Sequence, residues 1–131
     1  MKSKSEIVTE LANNYPYEEE EIESALVRLE AVSQSLNIPL EVVAEDICRI
    51  GSVTRESGMA VGVALRTIYS RLNKQYLEDI GIDTTINTDE VLERLSKHYK
   101  GLIDNEQKLE LAIKLAGRYN LARLAALLEN R

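Results

Sequence analysis

The residues Ile22, Leu26, Leu29, Ser33 and Leu36 fall four, three, four and three positions apart, a spacing that lines them up along one face of an α-helix and along no face of a strand. The pattern repeats down the chain. Leu40, Val43, Ile47 and Ile50 form a second stripe, Val61, Leu65, Ile68 and Leu72 a third, and Val91, Leu92, Leu95 and Tyr99 a fourth. No segment alternates apolar and polar residues over the length that a half-buried strand requires. The fold class expected is all-α. With no Trp and no Phe, the interior has to be filled by Leu, Ile, Val, Ala and Tyr.

Local signals punctuate these stripes. Ser3 is placed to cap a first helix, with Glu6 completing a capping box, and Pro16 disfavours helical geometry at Tyr15 and so ends it. A second helix spans Tyr17 to Leu36. Pro39 suits the first turn of a third, which frays at "TRESG", where Gly58 is expected to take the left-handed conformation that closes helices. A fourth helix runs from Met59 to Gln75. Gly62 costs it about 1 kcal/mol relative to alanine, which points to a close helix contact there. "YLEDIGIDTTINTDE" is the longest irregular stretch, with room for only a turn or a very short extended piece. Asn87 with Glu90 repeats the capping-box pattern and opens a fifth helix that Gly101 stops. Asp104, with Gln107 three residues on, opens a final helical region through Leu128. The expected architecture is one domain over residues 1–131, a compact irregular or orthogonal bundle of about six to seven helices without significant sheet.

Apolar residues make up 44% of the chain and charged residues 29%, the balance of a globular chain rather than a disordered one. No apolar run approaches a membrane span, and the N-terminal "MKSKSEIVTELANN" has no hydrophobic signal region, so a cytoplasmic location is expected. The net charge of −6 argues against a general nucleic-acid coat. It is unevenly spread: residues 1–60 carry 5 basic and 12 acidic side chains, and residues 61–131 carry 11 and 10. The acidic excess is concentrated in "YEEEEIE", where carboxylates favour the positive end of a helix dipole.

Signals for chemistry are sparse. Cys48 is the only cysteine, so it forms no intrachain disulfide, and its helical neighbours make it a small buried hydrophobe. His98, the only histidine, sits near a helix end, where its charge suits the dipole. The sequence shows no phosphate-cradling glycine loop, nucleophile elbow or zinc spacing. No catalytic residue, cofactor or metal is expected, and the chain reads as a non-enzyme. A second function class comes from "IPLEVVAEDICRIGSVTRESGMAVGVALRTIYSRLNK". It has the outline of a helix-turn-helix whose second helix carries Arg66, Arg71 and Lys74, with no acidic residue from 57 to 77. Against this DNA-binding regulator stand the long turn and the acidic chain.

The blocks "GSVTRESGMAVGVALRTIYSRL", "LEDIGI" and "LAGRYNLARLAALLEN" occur in that order. Together they resemble the tail tape measure proteins of long-tailed bacteriophages, which carry a segment reading approximately "VTRxSGxxVGxALKTIxSRL", then an "LxxLGI"-like stretch, then "LAGRYxLxRFxAL". The segments before and after the first block are similar as well, so the resemblance extends from Glu10 to Asn130. On this resemblance Thr54, Arg55, Gly58, Gly62, Arg71, Gly81, Gly117, Arg118 and Tyr119 are family-motif residues with structural roles. Two departures are visible: Met59 stands where the family often has a serine, and Leu124 where an aromatic is common.

The resemblance implies a structural or assembly domain without catalytic activity, in contact with phage tail or tail-assembly proteins or with copies of itself. Its expected place is the bacterial host cytoplasm during assembly, and the virion tail if it is incorporated. A fragment of a cell-wall-cleaving tail protein is a third reading, disfavoured by the lack of a readable nucleophile or metal constellation. A continuous helix of this length would reach only about 200 Å, too short to rule a long tail. Thr54, Arg55, Gly58 and Gly62 are expected to form a tight corner between the third and fourth helices. Gly117 is expected at a close helix crossing, with Arg118 reaching a carboxylate or a neighbouring helix end; the alternative is a weak kink between two short helices.

Overall fold

Each apolar stripe becomes a helix in the computed structural model, which describes residues 2–131; Met1, the first residue of the N-terminal stretch considered above, lies outside it. The described residues form eight helices and no strand: α1 (Lys4–Asn14), α2 (Glu19–Ser35), α3 (Leu40–Thr54), α4 (Gly58–Arg71), α5 (Lys74–Asp79), α6 (Thr88–Gly101), α7 (Asn105–Ala116) and α8 (Leu121–Asn130). The all-α expectation holds. The helix count is higher than expected because two of the expected helices are broken.

The first break is at Leu72 and Asn73. Asn73 accepts a hydrogen bond from Tyr76 N at 3.1 Å and so caps a new helix, α5, which occupies part of the stretch read as irregular. Gly81, with φ +86°, closes α5: its N–H donates to Glu78 O and that of Ile82 to Leu77 O, the paired bonds of a left-handed helix stop. The second break is at Gly117, which has φ +78° and ψ 169°. That backbone region is open to glycine almost alone.

Gly117 is therefore not at a close helix crossing. A Cβ built on it meets nothing within 4 Å, and its role is to turn the chain between α7 and α8. Both Gly117→Ala and Gly117→Leu are expected to lower stability by about 1–3 kcal/mol, the cost of holding a side-chain-bearing residue in that region. The two losses should be alike, because the space outside is open. Denaturant melts check this, and a loss that climbs steeply with side-chain size would restore the crossing.

The capping signals fare well. Ser3 Oγ accepts from Glu6 N at 3.2 Å, Asn87 Oδ1 from Glu90 N at 2.9 Å, and Asp104 Oδ1 from Glu106 N at 2.9 Å rather than from Gln107. Other boundaries shift. Tyr17 lies before α2, and Gly101 is the last residue of α6, with Leu102 as its cap. The residue that takes the left-handed conformation after α3 is Arg55, φ +59°, and not Gly58, which is the first residue of α4.

Ile22, Leu26, Leu29, Val43, Ile47, Ile50, Val61, Leu65, Ile68, Leu92 and Leu95 are all buried in one continuous core. Leu36, Leu40 and Leu72, at the stripe ends, are only partly buried against it. α2 packs chiefly on α4 and α3, while α8 lies across α3 and α6 with α7 alongside. α2 and α4 run side by side in the same direction: Gly58 touches Glu21, and Gly62 touches Ala25 and Arg28. The close contact expected at Gly62 is present.

Candidate functional site

The corner between α3 and α4 is built almost wholly from the sequence block "VTRESG". Thr54 ends α3, and its hydroxyl accepts from Glu56 N at 3.4 Å. Ser57 Oγ takes Ala60 N at 3.2 Å and caps α4, the capping role that Met59 cannot fill. At Gly58 the backbone N–H donates to the Glu21 carboxylate at 3.1 Å. The stretch before α2 closes on the same corner: Tyr17 Oη donates to Glu56 O at 2.6 Å and Arg55 to Pro16 O at 3.3 Å. The Tyr17 ring lies over Gly51, where a Cβ would come within 2.4 Å of it. Burial pushes the Tyr17 hydroxyl well above its ordinary pKa, with the Glu21 charge adding to the effect.

Arg123 of α8 completes the corner. Its guanidinium meets the Glu56 carboxylate with two parallel bonds, Nε to Oε1 at 2.9 Å and Nη2 to Oε2 at 2.5 Å, across 67 residues of sequence. A third donates to Asn120 Oδ1 at 2.9 Å. Two of the sequence blocks behind the tape measure resemblance thus meet in space through one bidentate ion pair. Neither Glu56 nor Arg123 was singled out by sequence, since nothing local marks two charges as partners at that separation.

The Arg123 bonds hold the Glu56 carboxyl below its ordinary range, and partial burial works the other way. A lowered folded-state value means that the pair stabilises fully above the ordinary glutamate pKa and is lost as pH falls through the folded value. Glu56→Gln is expected to cost about 1 kcal/mol near neutrality. The gap between variant and wild type should close as pH falls below about 4, and denaturant melts across that range check it. A gap that persists in acid would mean that the carboxylate charge is not what Arg123 recognises.

The turn after Gly117 projects Arg118 and Tyr119 into solvent. Tyr119 is 85% exposed, and the Arg123 guanidinium stacks 5.1 Å from its ring centroid. The Arg118 carbonyl accepts from Leu121 N at 3.4 Å, but its side chain is exposed and has no partner among the described residues, so the clamp expected of it is made by Arg123 instead. On α4, Met59, Val63, Arg66 and Ser70 share one exposed stripe. Met59 and Val63 are exposed by 56% and 43%.

No family model matches this chain, and no solved structure is found to match it. Arg66, Arg71 and Lys74, the residues of the DNA-binding reading, are all exposed, and none has an acidic partner among the described residues. A recognition helix presents its first turns to base edges. Here the first turn of α4 lies against Glu21, with exposed Glu18, Glu19, Glu20 and Glu23 at the start of the adjoining α2. Phosphates would be repelled at that end.

A polar cluster lies inside the core, unanticipated from sequence. Asp46 on α3 is fully buried. It accepts from Arg131 Nε at 3.1 Å, from Tyr69 Oη at 2.6 Å and from Arg49 Nη1 at 2.6 Å. Arg131, whose side chain is only 1% exposed, also binds Asp89 and Glu93. Burial opposes the Arg131 charge, but the Asp46 and Asp89 carboxylates outweigh it and hold the guanidinium above its usual pKa. Burial, with the Asp46 charge beside it, keeps the Tyr69 hydroxyl protonated far above its ordinary value. Cys48, next door on α3, is buried as expected, and burial pushes its thiol up to about 12.

Among the described residues no group of three or more His, Cys, Asp or Glu side chains is placed to hold a metal ion. No described helix is long and apolar enough to cross a membrane.

Proposed function

We propose that this chain is a non-catalytic contact domain of a bacteriophage or prophage tail, related to the conserved helical region of tape measure proteins, and that it acts by binding tail or tail-assembly proteins. The observation that carries this reading is the meeting of the motif blocks. The "VTRESG" corner and the "LAGRYNLARL" turn are locked together by Glu56 and Arg123. Close by, Tyr119, Met59 and Val63 remain exposed. A corner that presents an aromatic ring, an arginine and a methionine offers residue types that interfaces favour.

Two measurements test the reading together. The genes flanking this one are expected to encode tail tube, tail chaperone or baseplate proteins, and the purified domain is expected to bind at least one of those products directly. Flanking genes unrelated to tails, combined with no binding to any tail protein of the same element, would overturn it. The exposed cations Arg66, Arg71 and Lys74 keep a DNA-binding regulator as the second reading. Tight duplex binding that falls steeply with salt and is abolished when all three become glutamine would favour that reading instead.

A further inference from the structure

The apolar face of α8 fixes that helix to the core but not its position along it. Its buried side chains are Leu124, Ala126, Leu127 and Leu128, with Leu121 and Ala125 partly buried beside them, and the helix lies against α3 and α6. A slide of α8 by one helical turn, about 5.4 Å, puts Leu124 where Leu128 sat or Leu121 where Leu124 sat, and leucine replaces leucine. Uniform leucine surfaces bury area well and specify position badly. The buried bond from Ser96 Oγ to Leu128 O at 2.6 Å meets a main-chain carbonyl, a group that every residue repeats.

Two ion pairs do not tolerate a slide. In the first turn of α8, Arg123 forks onto Glu56 of the α3–α4 corner; just past the end of α8, Arg131 meets Asp46 within α3. The two arginines stand about 12 Å apart along the helix. Their carboxylates face them in reverse chain order, so α8 runs against α3 and is fixed at both ends. A displacement of one turn breaks both pairs at once. It strands the fully buried Asp46 and pulls the Arg131 guanidinium from its three carboxylates, the costliest kind of loss for buried charges. The position of α8 matters beyond itself, because α6 and α7 pack chiefly on it and α5 on α7. It also sets where Tyr119, stacked on Arg123, stands beside the corner.

We propose that the Glu56–Arg123 and Asp46–Arg131 pairs are register pins: leucine burial binds α8 to α3 and α6, and the two ion pairs select one of the registers that this burial allows. The inference concerns the placement of α8 and stands whether or not the contact-domain reading does. A buried ion pair adds little net stability over a well-packed apolar replacement, and fixing register is the role for which such pairs are best attested.

The test removes each pin together with its partner. One variant carries Asp46→Leu, Tyr69→Phe and Arg131→Met, a second carries Glu56→Gln and Arg123→Met, and a third combines all five changes. Each is read in two ways: by the number of amide cross-peaks per residue in α3 and α8, and by the distance between spin labels on Gln34→Cys of α2 and Ala122→Cys of α8, both exposed positions. All labelled chains carry Cys48→Ala. Either pin alone is expected to hold one register, so the wild type and the first two variants should give one set of peaks and one distance. The combined variant is expected to keep its helical circular dichroism but to show doubled or broadened peaks in α3 and α8, and a second distance population displaced by up to about 5 Å. A combined variant that is merely less stable, with one set of peaks and the wild-type distance, would overturn the proposal, because ion pairs that only stabilise leave no second register behind. If the combined variant does not fold, the first variant with Glu56→Gln alone added is measured instead, since it keeps the Arg123 side chain. Should that chain fail to fold as well, leucine burial does not hold α8 in place by itself and the proposal falls.

Discussion

Asp46→Ala is expected to lower the stability of the folded domain by about 3–5 kcal/mol, because removing one partner of a buried ion pair leaves the others desolvated and uncompensated. Asp46 is fully buried and receives bonds from Arg131, Tyr69 and Arg49. Its loss strips the Tyr69 hydroxyl of its acceptor and leaves the buried Arg131 with Asp89 and Glu93 alone. Domains of ordinary stability hold about 5–15 kcal/mol in total, so this one change consumes a large part of it. Tyr69→Phe removes only one hydrogen bond to a charged group and is expected to cost about 1.5–3 kcal/mol. Urea denaturation at neutral pH measures both. The contrast with an apolar replacement is informative: a variant combining Asp46→Leu, Tyr69→Phe and Arg131→Met should lose less than the separate losses predict, because the Asp46 and Arg131 charges leave together and Arg49 keeps its ion pair with Glu45. An Asp46→Ala cost below about 1 kcal/mol, the range of exposed ion pairs, would mean that water reaches the cluster.

That cluster also marks the limit of what the sequence discloses. The stripes of α2, α3, α4 and α6 were legible because helical periodicity is a local property: once Ile22, Leu26 and Leu29 share a face, burying that face is the only way to remove it from water. Caps at Ser3, Asn87 and Asp104 were legible for the same reason, since donor and acceptor lie two or three residues apart. Asp46 was not. On α3 it reads as one more charged residue in "VVAEDICRIG", and only the arrival of Tyr69 from α4 and Arg131 from beyond α8 makes a buried carboxylate tolerable. The Glu56–Arg123 pair escaped for a like reason, with 67 residues between its members. Gly58 and Gly117 show a subtler failure. Glycine serves both tight contact and unusual backbone geometry, and sequence identified both positions but exchanged their roles: Gly58 was expected to turn the chain and instead touches a helix, while Gly117 was expected to touch a helix and instead turns the chain.

The exchange gives the second large effect its test. At Gly58 a methyl group would lie 2.1 Å from the Glu21 carbonyl oxygen and 2.8 Å from its carbon, so it collides with backbone that no rotamer change can clear. Either α2 and α4 separate along their closest contact or the α4 start unwinds, and the Glu21 bond to Gly58 N is strained with it. Gly58→Ala is expected to cost about 3 kcal/mol, the upper end for overpacking, and Gly58→Val more. Gly62 provides the scale. Its Cβ would come within 3.1 Å of Ala25 Cα and O, a shortfall that a shift of a few tenths of an ångström relieves, and alanine returns about 1 kcal/mol of helix propensity. Gly62→Ala should therefore fall within about 1 kcal/mol of wild type. Gly117→Ala should lose a moderate amount that barely changes with side-chain size. Three glycines thus give three size dependences in one set of melts: steep at Gly58, shallow at Gly62 and flat at Gly117. A Gly58→Ala variant as stable as Gly62→Ala would mean that the two parallel helices do not meet at the corner, and the contact between α2 and the "VTRESG" block would have to be abandoned.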